Sequence, residues 1–258
     1  MPVINTNGLQ INYSDTGIGV PVVFVPGLSG SNDWFCYQTS GLSNHYRIIS
    51  YNLRRTRFRT HYTLDLLADD LKRLLDALHI PSAVVVGHSF GGLVALKFAI
   101  SHPERCPALV LCSTAPSFSG IDDEELLSNM LPGEVQFENL FVRFWKKLFR
   151  LKCENEEDTD SISRYNAGLD RATLDARMRI LHKTDLEPAL ASVTMPSLIV
   201  AGSLDKSYIL SGSQILDEMI ADSVLEVIED TDHFCFYNRH DLFNEILVEY
   251  LSHKVPRL

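Results

Sequence analysis

Residues Ala83-Val84-Val85-Val86-Gly87-His88-Ser89-Phe90-Gly91-Gly92 set one serine between two glycines, directly before Leu93-Val94-Ala95-Leu96. The first four residues read as a buried apolar strand and the residues after Gly92 as a helix. The G-x-S-x-G pattern therefore falls on a strand-to-helix turn, the context that gives it meaning as a nucleophile elbow. Such a turn strains the serine backbone and lifts its hydroxyl clear of the sheet. Gly87 and Gly91 are needed because a Cβ at either would strike the neighbouring chain. The N–H groups that follow Ser89 aim at the same point, so a nucleophile and part of an oxyanion hole come from one short segment. The plainer alternative, a glycine-rich turn with a surface serine, fits the flanking strand and helix poorly.

Two further residues stand where a serine nucleophile needs them. Ser197-Leu198-Ile199-Val200-Ala201-Gly202 reads as a buried strand whose carboxyl-end loop, Ser203-Leu204-Asp205, ends on an acid. Ser223-Val224-Leu225-Glu226-Val227-Ile228 alternates as another strand, followed by Glu229-Asp230-Thr231-Asp232-His233-Phe234. His233 is placed to take the proton of Ser89 and to return it to the leaving group, and Asp205 to fix the imidazole tautomer and stabilise the imidazolium. A loop Asp is often only a turn residue and a loop His only solvated. It is their order after the elbow, on successive strand ends, that joins them to it. Asp230 and Asp232 are rival acids, but from so near His233 either would have to curl back sharply to reach Nδ1.

Over nearly its whole length the chain resembles the α/β-hydrolases of the small esterase and enol-lactonase type. The resemblance rests on Val22-Val23-Phe24-Val25-Pro26-Gly27-Leu28-Ser29-Gly30-Ser31, the elbow, Ala201-Gly202-Ser203-Leu204-Asp205 and Asp232-His233-Phe234. It implies a mostly parallel twisted sheet with helices on both faces, an oxyanion hole made by the backbone N–H groups of Leu28 and Phe90, and acyl transfer to water. The sequence departs from the family at Pro26, where histidine is usual, a change that leaves the Leu28 donor in place. It departs again at Asn52-Leu53-Arg54-Arg55-Thr56-Arg57, where the family carries Asp-x-Arg-Gly-x-Gly.

Composition agrees with a globular enzyme: 45% hydrophobic and 22% charged residues over 258 positions allow one large α/β domain with a full core. No apolar stretch reaches the roughly 18 to 20 residues of a membrane span, and Met1 to Thr6 lacks the pattern of a signal peptide. Cys36, Cys106, Cys112, Cys153 and Cys235 are scattered and odd in number, which fits reduced thiols in a cytoplasm. A net charge of −10 argues against nucleic acid or an anionic membrane as partner. The expected partner is a small ester or lactone; oligomeric state is left open. No metal, nucleotide or flavin is required by this chemistry, and no Walker or dinucleotide fingerprint is present.

Elsewhere strands and helices alternate. Val3-Ile4-Asn5 and Leu9 to Tyr13 read as a hairpin around Asn7-Gly8, Pro21 to Val25 and Tyr46 to Tyr51 as buried strands, and Ala108 to Cys112 as the strand after the elbow helix. Leu64 to Leu78 carries a helical apolar face, and one last helix is expected from Phe236 to Leu251.

Between Ser117 and Asp185 the alternation stops. Stretches 121–131, 134–151, 161–169 and 173–183 read as helices with no strand among them, far more than the dozen or so residues a crossover needs. The expected organisation is a hydrolase core of residues 1–116 and 186–258 with a helical cap, 117–185, inserted after the sixth strand. Phe144 and Trp145, in an apolar helical set, are candidates for the substrate pocket, as is Phe234; plain packing is the alternative for each. The acidic run 153–160 reads as a solvated loop, lacking the pattern of a calcium loop. Arg54, Arg55, Arg57 and Arg59 crowd a loop at the end of the sheet where Ser89 opens. They read either as a solvated basic loop or, with Arg54 foremost, as a clamp for a substrate carboxylate. The reading overall is a serine hydrolase; alternatives are C–C bond hydrolysis, a lyase or synthase with the same triad, or a small-molecule receptor on the same fold.

Overall fold

A computed structural model describes residues 2–6, 8–56, 62–121 and 170–255. The stretches 121–131, 134–151 and 161–169 and the acidic run, with Phe144, Trp145, Arg57 and Arg59, lie outside the described residues, apart from Ile121.

Among the described residues eight strands form one sheet in the order β1-β2-β4-β3-β5-β6-β7-β8. They are β1 (Val3–Thr6), β2 (Leu9–Thr16), β3 (Pro21–Val25), β4 (Arg47–Tyr51), β5 (Val84–His88), β6 (Leu109–Cys112), β7 (Ser197–Gly202) and β8 (Ser223–Ile228). β1 and β2 form the expected antiparallel hairpin, with Thr6 opposite Leu9, and β2 joins β4 antiparallel. From β4 to β8 every pairing is parallel. Parallel strands need helices on both faces, so β3, β5, β6 and β7 read as nearly unbroken apolar runs and are buried throughout, apart from partly exposed Pro21.

The helices are α1 (Cys36–Leu42), α2 (Leu64–Ala77), α3 (Phe90–Ser101), α4 (Arg171–Lys183), α5 (Ser207–Met219), α6 (Cys235–Asn238) and α7 (His240–Lys254). α2 begins where the Thr63 hydroxyl accepts from Leu66 N–H, and it buries Leu64, Leu67, Leu71, Leu74 and Leu75 on one stripe. α3 has no polar stripe; nine of its twelve residues are buried because it runs along the middle of the sheet. The single last helix expected from the sequence is two. Arg239 leaves the helical region between α6 and α7 (φ −127°, ψ 46°), and α7 restarts with its carbonyl accepting from Phe243 N–H.

Ser117 and Asp185 form an antiparallel bridge, and Leu186 N–H donates to Pro116 O at 3.0 Å. α4 packs Leu174, Met178, Ile180 and Leu181 into the same core as the strands. No helix among the described residues is long and apolar enough to cross a membrane.

Candidate active site

Because β3 to β8 run parallel, their carboxyl ends deliver six loops to one edge of the sheet, the usual place for ligands in open α/β sheets. Ser89 leaves β5 with φ 53° and ψ −120°, a left-handed conformation that costs a non-glycine residue on the order of 1–3 kcal/mol. The surroundings hold it there. Ser89 N–H donates to Cys112 O at 2.9 Å, Gly92 N–H to Ser89 O at 2.8 Å, and the Thr114 hydroxyl to the same oxygen at 2.8 Å. The turn is this tight because the backbones touch: a Cβ at Gly91 would collide with the carbonyls of Val25 and Pro26, and one at Gly87 with Gly91 O.

The loops after β7 and β8 are stitched together before either offers a side chain. Ser203 N–H donates to Ile228 O and Leu204 N–H to Thr231 O, both at 2.9 Å. Across this seam His233 Nδ1 lies 3.0 Å from Asp205 Oδ2, and its Nε2 lies 2.9 Å from Ser89 Oγ. An ionised carboxylate only accepts, so Nδ1 carries the proton and Nε2 is left to accept from the serine hydroxyl. The Asp205 side chain is wholly buried, and that of His233 is 29% exposed. Burial alone would raise the Asp205 pKa, but the facing imidazole and the hydrogen bonds from His233, Lys206 N–H and Ser113 bring it below the ordinary aspartate value. For His233 burial disfavours the charged ring; the pull of Asp205 prevails and raises its pKa above the ordinary histidine value.

Of the rival acids, Asp232 has its carboxylate engaged elsewhere. Asp232 accepts from Phe234 N–H at 3.2 Å and from Asn238 Nδ2 at 2.9 Å, which shapes the turn into α6. Asp230 donates its N–H to Ser203 Oγ.

His88, which the sequence reading passed over, sits beside the base. Its Nε2 lies 3.0 Å from the carbonyl of His233, and the two rings are 5.0 Å apart. A carbonyl only accepts, so Nε2 bears hydrogen. Full burial, reinforced by the nearby His233, pushes the His88 pKa down to about 3. His88 is therefore a neutral prop under the His233 backbone.

Leu28 belongs to the loop after β3, closed by Gly30 N–H donating to Gly27 O at 2.9 Å. This loop abuts the elbow, since a Cβ on Gly27 would stand 2.9 Å from His88 Nδ1. Leu28 and Phe90 are both buried. Asn52, which stands for the family's aspartate, accepts Asn32 N–H at 2.8 Å and ties this loop to the end of β4.

Of the residues expected at the substrate, Arg54 serves the scaffold instead. The Arg54 guanidinium is closed in a two-pronged ion pair on Asp70 of α2, a carboxylate only 3% exposed. The fork that was to grip a substrate carboxylate is thus already filled, which corrects the clamp reading for Arg54. Phe234 is 7% exposed and stacks on Trp34 at 4.8 Å, with its edge toward His233. Arg177 of α4 was missed altogether. It is 1% exposed and reaches the Leu28 carbonyl with Nη1 at 2.6 Å.

Residues 20–239 match the alpha/beta hydrolase fold family, and the chain belongs to it. It is a hydrolytic enzyme of that fold. A relative from Yersinia enterocolitica named as a carbamate hydrolase, RutD, is 29% identical over 94% of this chain and 91% of its own. Among solved structures, the enol-lactonase of Burkholderia xenovorans LB400 superposes with a TM-score of 0.79 at 21% identity, over 97% of this chain and all of the other. A meta-cleavage product hydrolase from Pseudomonas fluorescens IP01 gives 0.80 at 23%, over 98% of each chain. At these identities the structural likeness establishes the fold.

Proposed function

We propose that the chain is a serine hydrolase that cleaves a small carboxylic acyl substrate (an ester, a lactone or a carbamate) through an acyl-enzyme on Ser89. The observation that carries this reading is the unbroken line from Asp205 through His233 to Ser89, with separations of 3.0 and 2.9 Å. His233 Nε2 removes the hydroxyl proton as Oγ attacks the carbonyl carbon. The tetrahedral oxyanion is held by the N–H groups of Leu28 and Phe90, each donor typically worth a few kcal/mol. Collapse expels the leaving group, which takes the proton from His233. The base then activates a water molecule to release the acid and restore the serine.

The carbamate is included because of the relative's name, the lactone because of the likeness to an enol-lactonase. Each is attacked at its carbonyl carbon and passes through a tetrahedral adduct on Ser89; a lactone keeps its leaving oxygen tethered to the acyl group, and a carbamate leaves a carbamoyl-enzyme. Residues 117–185 are read as a cap over this edge of the sheet, supported by the bridge that brings their two ends together beside β6. The test is burst release of p-nitrophenol from short-chain p-nitrophenyl esters and a p-nitrophenyl carbamate. A stoichiometric burst that is absent in Ser89→Ala supports the reading; release unaffected by that change removes Ser89 as nucleophile.

A further inference from the structure

Arg177 lies in the interior with each of its four described hydrogen-bond acceptors neutral. Nη1 donates to Leu28 O at 2.6 Å, Nη2 to Arg54 O at 3.0 Å and Leu53 O at 3.4 Å, and Nε to Tyr62 Oη at 3.0 Å. A buried charge is costly unless its hydrogen-bonding needs are met, and replacing it with an apolar residue is often no loss to stability. A guanidinium spread over the oxygens of two loops needs an explanation beyond stability. Those loops are the one after β3, which carries Leu28, and the one after β4.

The detail at Leu28 supplies it. Gly27 to Gly30 form a four-residue turn closed by the Gly30 N–H to Gly27 O bond. The soft part of such a turn is its central peptide, whose rotation interconverts turn types. Here that peptide's oxygen is the Leu28 carbonyl, and Arg177 holds it. Gly30 has φ 73°, and a Cβ there would lie 2.5 Å from Nη1, so the turn is shaped around the guanidinium. The far side of the same loop is held by Leu53 N–H donating to Gly30 O at 2.9 Å, and Thr173 of α4 accepts Thr56 N–H at 3.0 Å.

We propose that Arg177 is the positioning residue of the oxyanion hole: by holding the Leu28 carbonyl it fixes the Leu28–Ser29 peptide and with it the seat of Leu28, whose own N–H, on the preceding Gly27–Leu28 peptide, is the donor to the reacting carbonyl. The proposal rests on the serine-hydrolase reading given above. A planar fork meets acceptors in several fixed directions where an ammonium cannot, so lysine is no substitute. Displacement of a reacting-site donor by about 1 Å costs on the order of a hundredfold.

The test compares Arg177→Lys and Arg177→Ala with the wild type on a p-nitrophenyl ester, and measures kcat, KM and the affinity of an alkyl boronic acid that mimics the tetrahedral adduct. Arg105→Ala is the control. That arginine also binds backbone carbonyls, of Ile80 and Pro81, but at the opposite end of the sheet. The expected result is kcat lower by roughly ten- to a hundredfold in both Arg177 variants, near-constant KM, boronate affinity falling in step with kcat/KM, and partial recovery of Arg177→Ala in guanidinium at sub-denaturing concentration. Arg105→Ala should lose thermal stability and keep kcat. Active sites are counted by a fluorophosphonate that labels Ser89, so that misfolded protein is excluded; if Arg177→Ala does not fold, Arg177→Lys and Tyr62→Phe, which removes one acceptor, carry the comparison. Wild-type kcat per labelled site in the Arg177 variants overturns the proposal, as does a loss of kcat that leaves boronate affinity unchanged. A wild type that neither labels nor turns over overturns the serine-hydrolase reading instead.

Discussion

The end of β5 presents a buried histidine and the loop after β8 a half-buried one, and the two rings lie 5.0 Å apart with opposite electrostatics. His88 has a backbone carbonyl as its partner and is pushed down to about 3; His233 has a carboxylate and is raised. Burial acts on both in the same direction. What separates them is the partner, a dipole for one and a full charge for the other. One ring is held neutral as scaffold, while the other can carry a proton in transit.

The largest effect expected from breaking this contrast lies on the charged side. Ser89→Ala, His233→Ala and Asp205→Asn should each lower kcat by roughly 10³-fold or more, and combining them should add little because the three act as a unit. Steady-state kinetics on the single and triple variants measures this; a near-wild-type Asp205→Asn beside an inactive Asp232→Asn would reassign the acid. On the neutral side His88→Phe keeps a ring but loses the bond to the His233 carbonyl. It should cost about tenfold in kcat and about 1–3 kcal/mol in stability from the orphaned oxygen. It should not move the midpoint of the pH profile, because a neutral ring contributes no charge to His233.

That profile sharpens the comparison further. Only neutral His233 accepts the serine proton, so kcat/KM on a chemistry-limited ester should rise with pH to a plateau, with a midpoint above 6.5. The two histidines should move stability in opposite directions. His88 stays neutral in the fold while the unfolded chain takes up a proton below 6.5, so stability falls as pH drops from 6.5 toward 3 by up to about 1.4 kcal/mol per pH unit. The raised pKa of His233 stabilises the fold below 6.5, and that contribution is lost as pH rises through its folded value. Urea titrations of wild type and His88→Phe across pH 4 to 8 separate the two. The smallest effect is expected at Asp232→Asn, which keeps the turn oxygen: activity within about threefold and stability within about 1 kcal/mol.

The parts that could be read in advance carry local signals. The elbow is written in ten consecutive residues, and Asp205 and His233 follow strands whose apolar runs announce them. What escaped detection depends on partners far along the chain. Arg177 sits on a helix beside Arg171, Arg179 and Lys183, where periodicity offers only a basic helix; three of its four acceptors are backbone oxygens, and all four lie more than a hundred residues away. Arg54 read either as part of a solvated basic loop or as a clamp, because nothing in the sequence marks Asp70 of α2, which is buried, as its partner. The break at Arg239 has no proline or glycine to mark it.

The pairing of Ser117 with Asp185 has a consequence for how such an enzyme can change. One bridge and the Leu186 N–H to Pro116 O bond set the span between the two ends of stretch 117–185. For a flexible chain with fixed ends, doubling the length adds only about 0.6 kcal/mol of closure entropy, so such a pairing constrains position far more than length. Helix α4 carries the position: Arg177 is its middle residue, and a shift of register by one residue there would withdraw the guanidinium from the Leu28 turn.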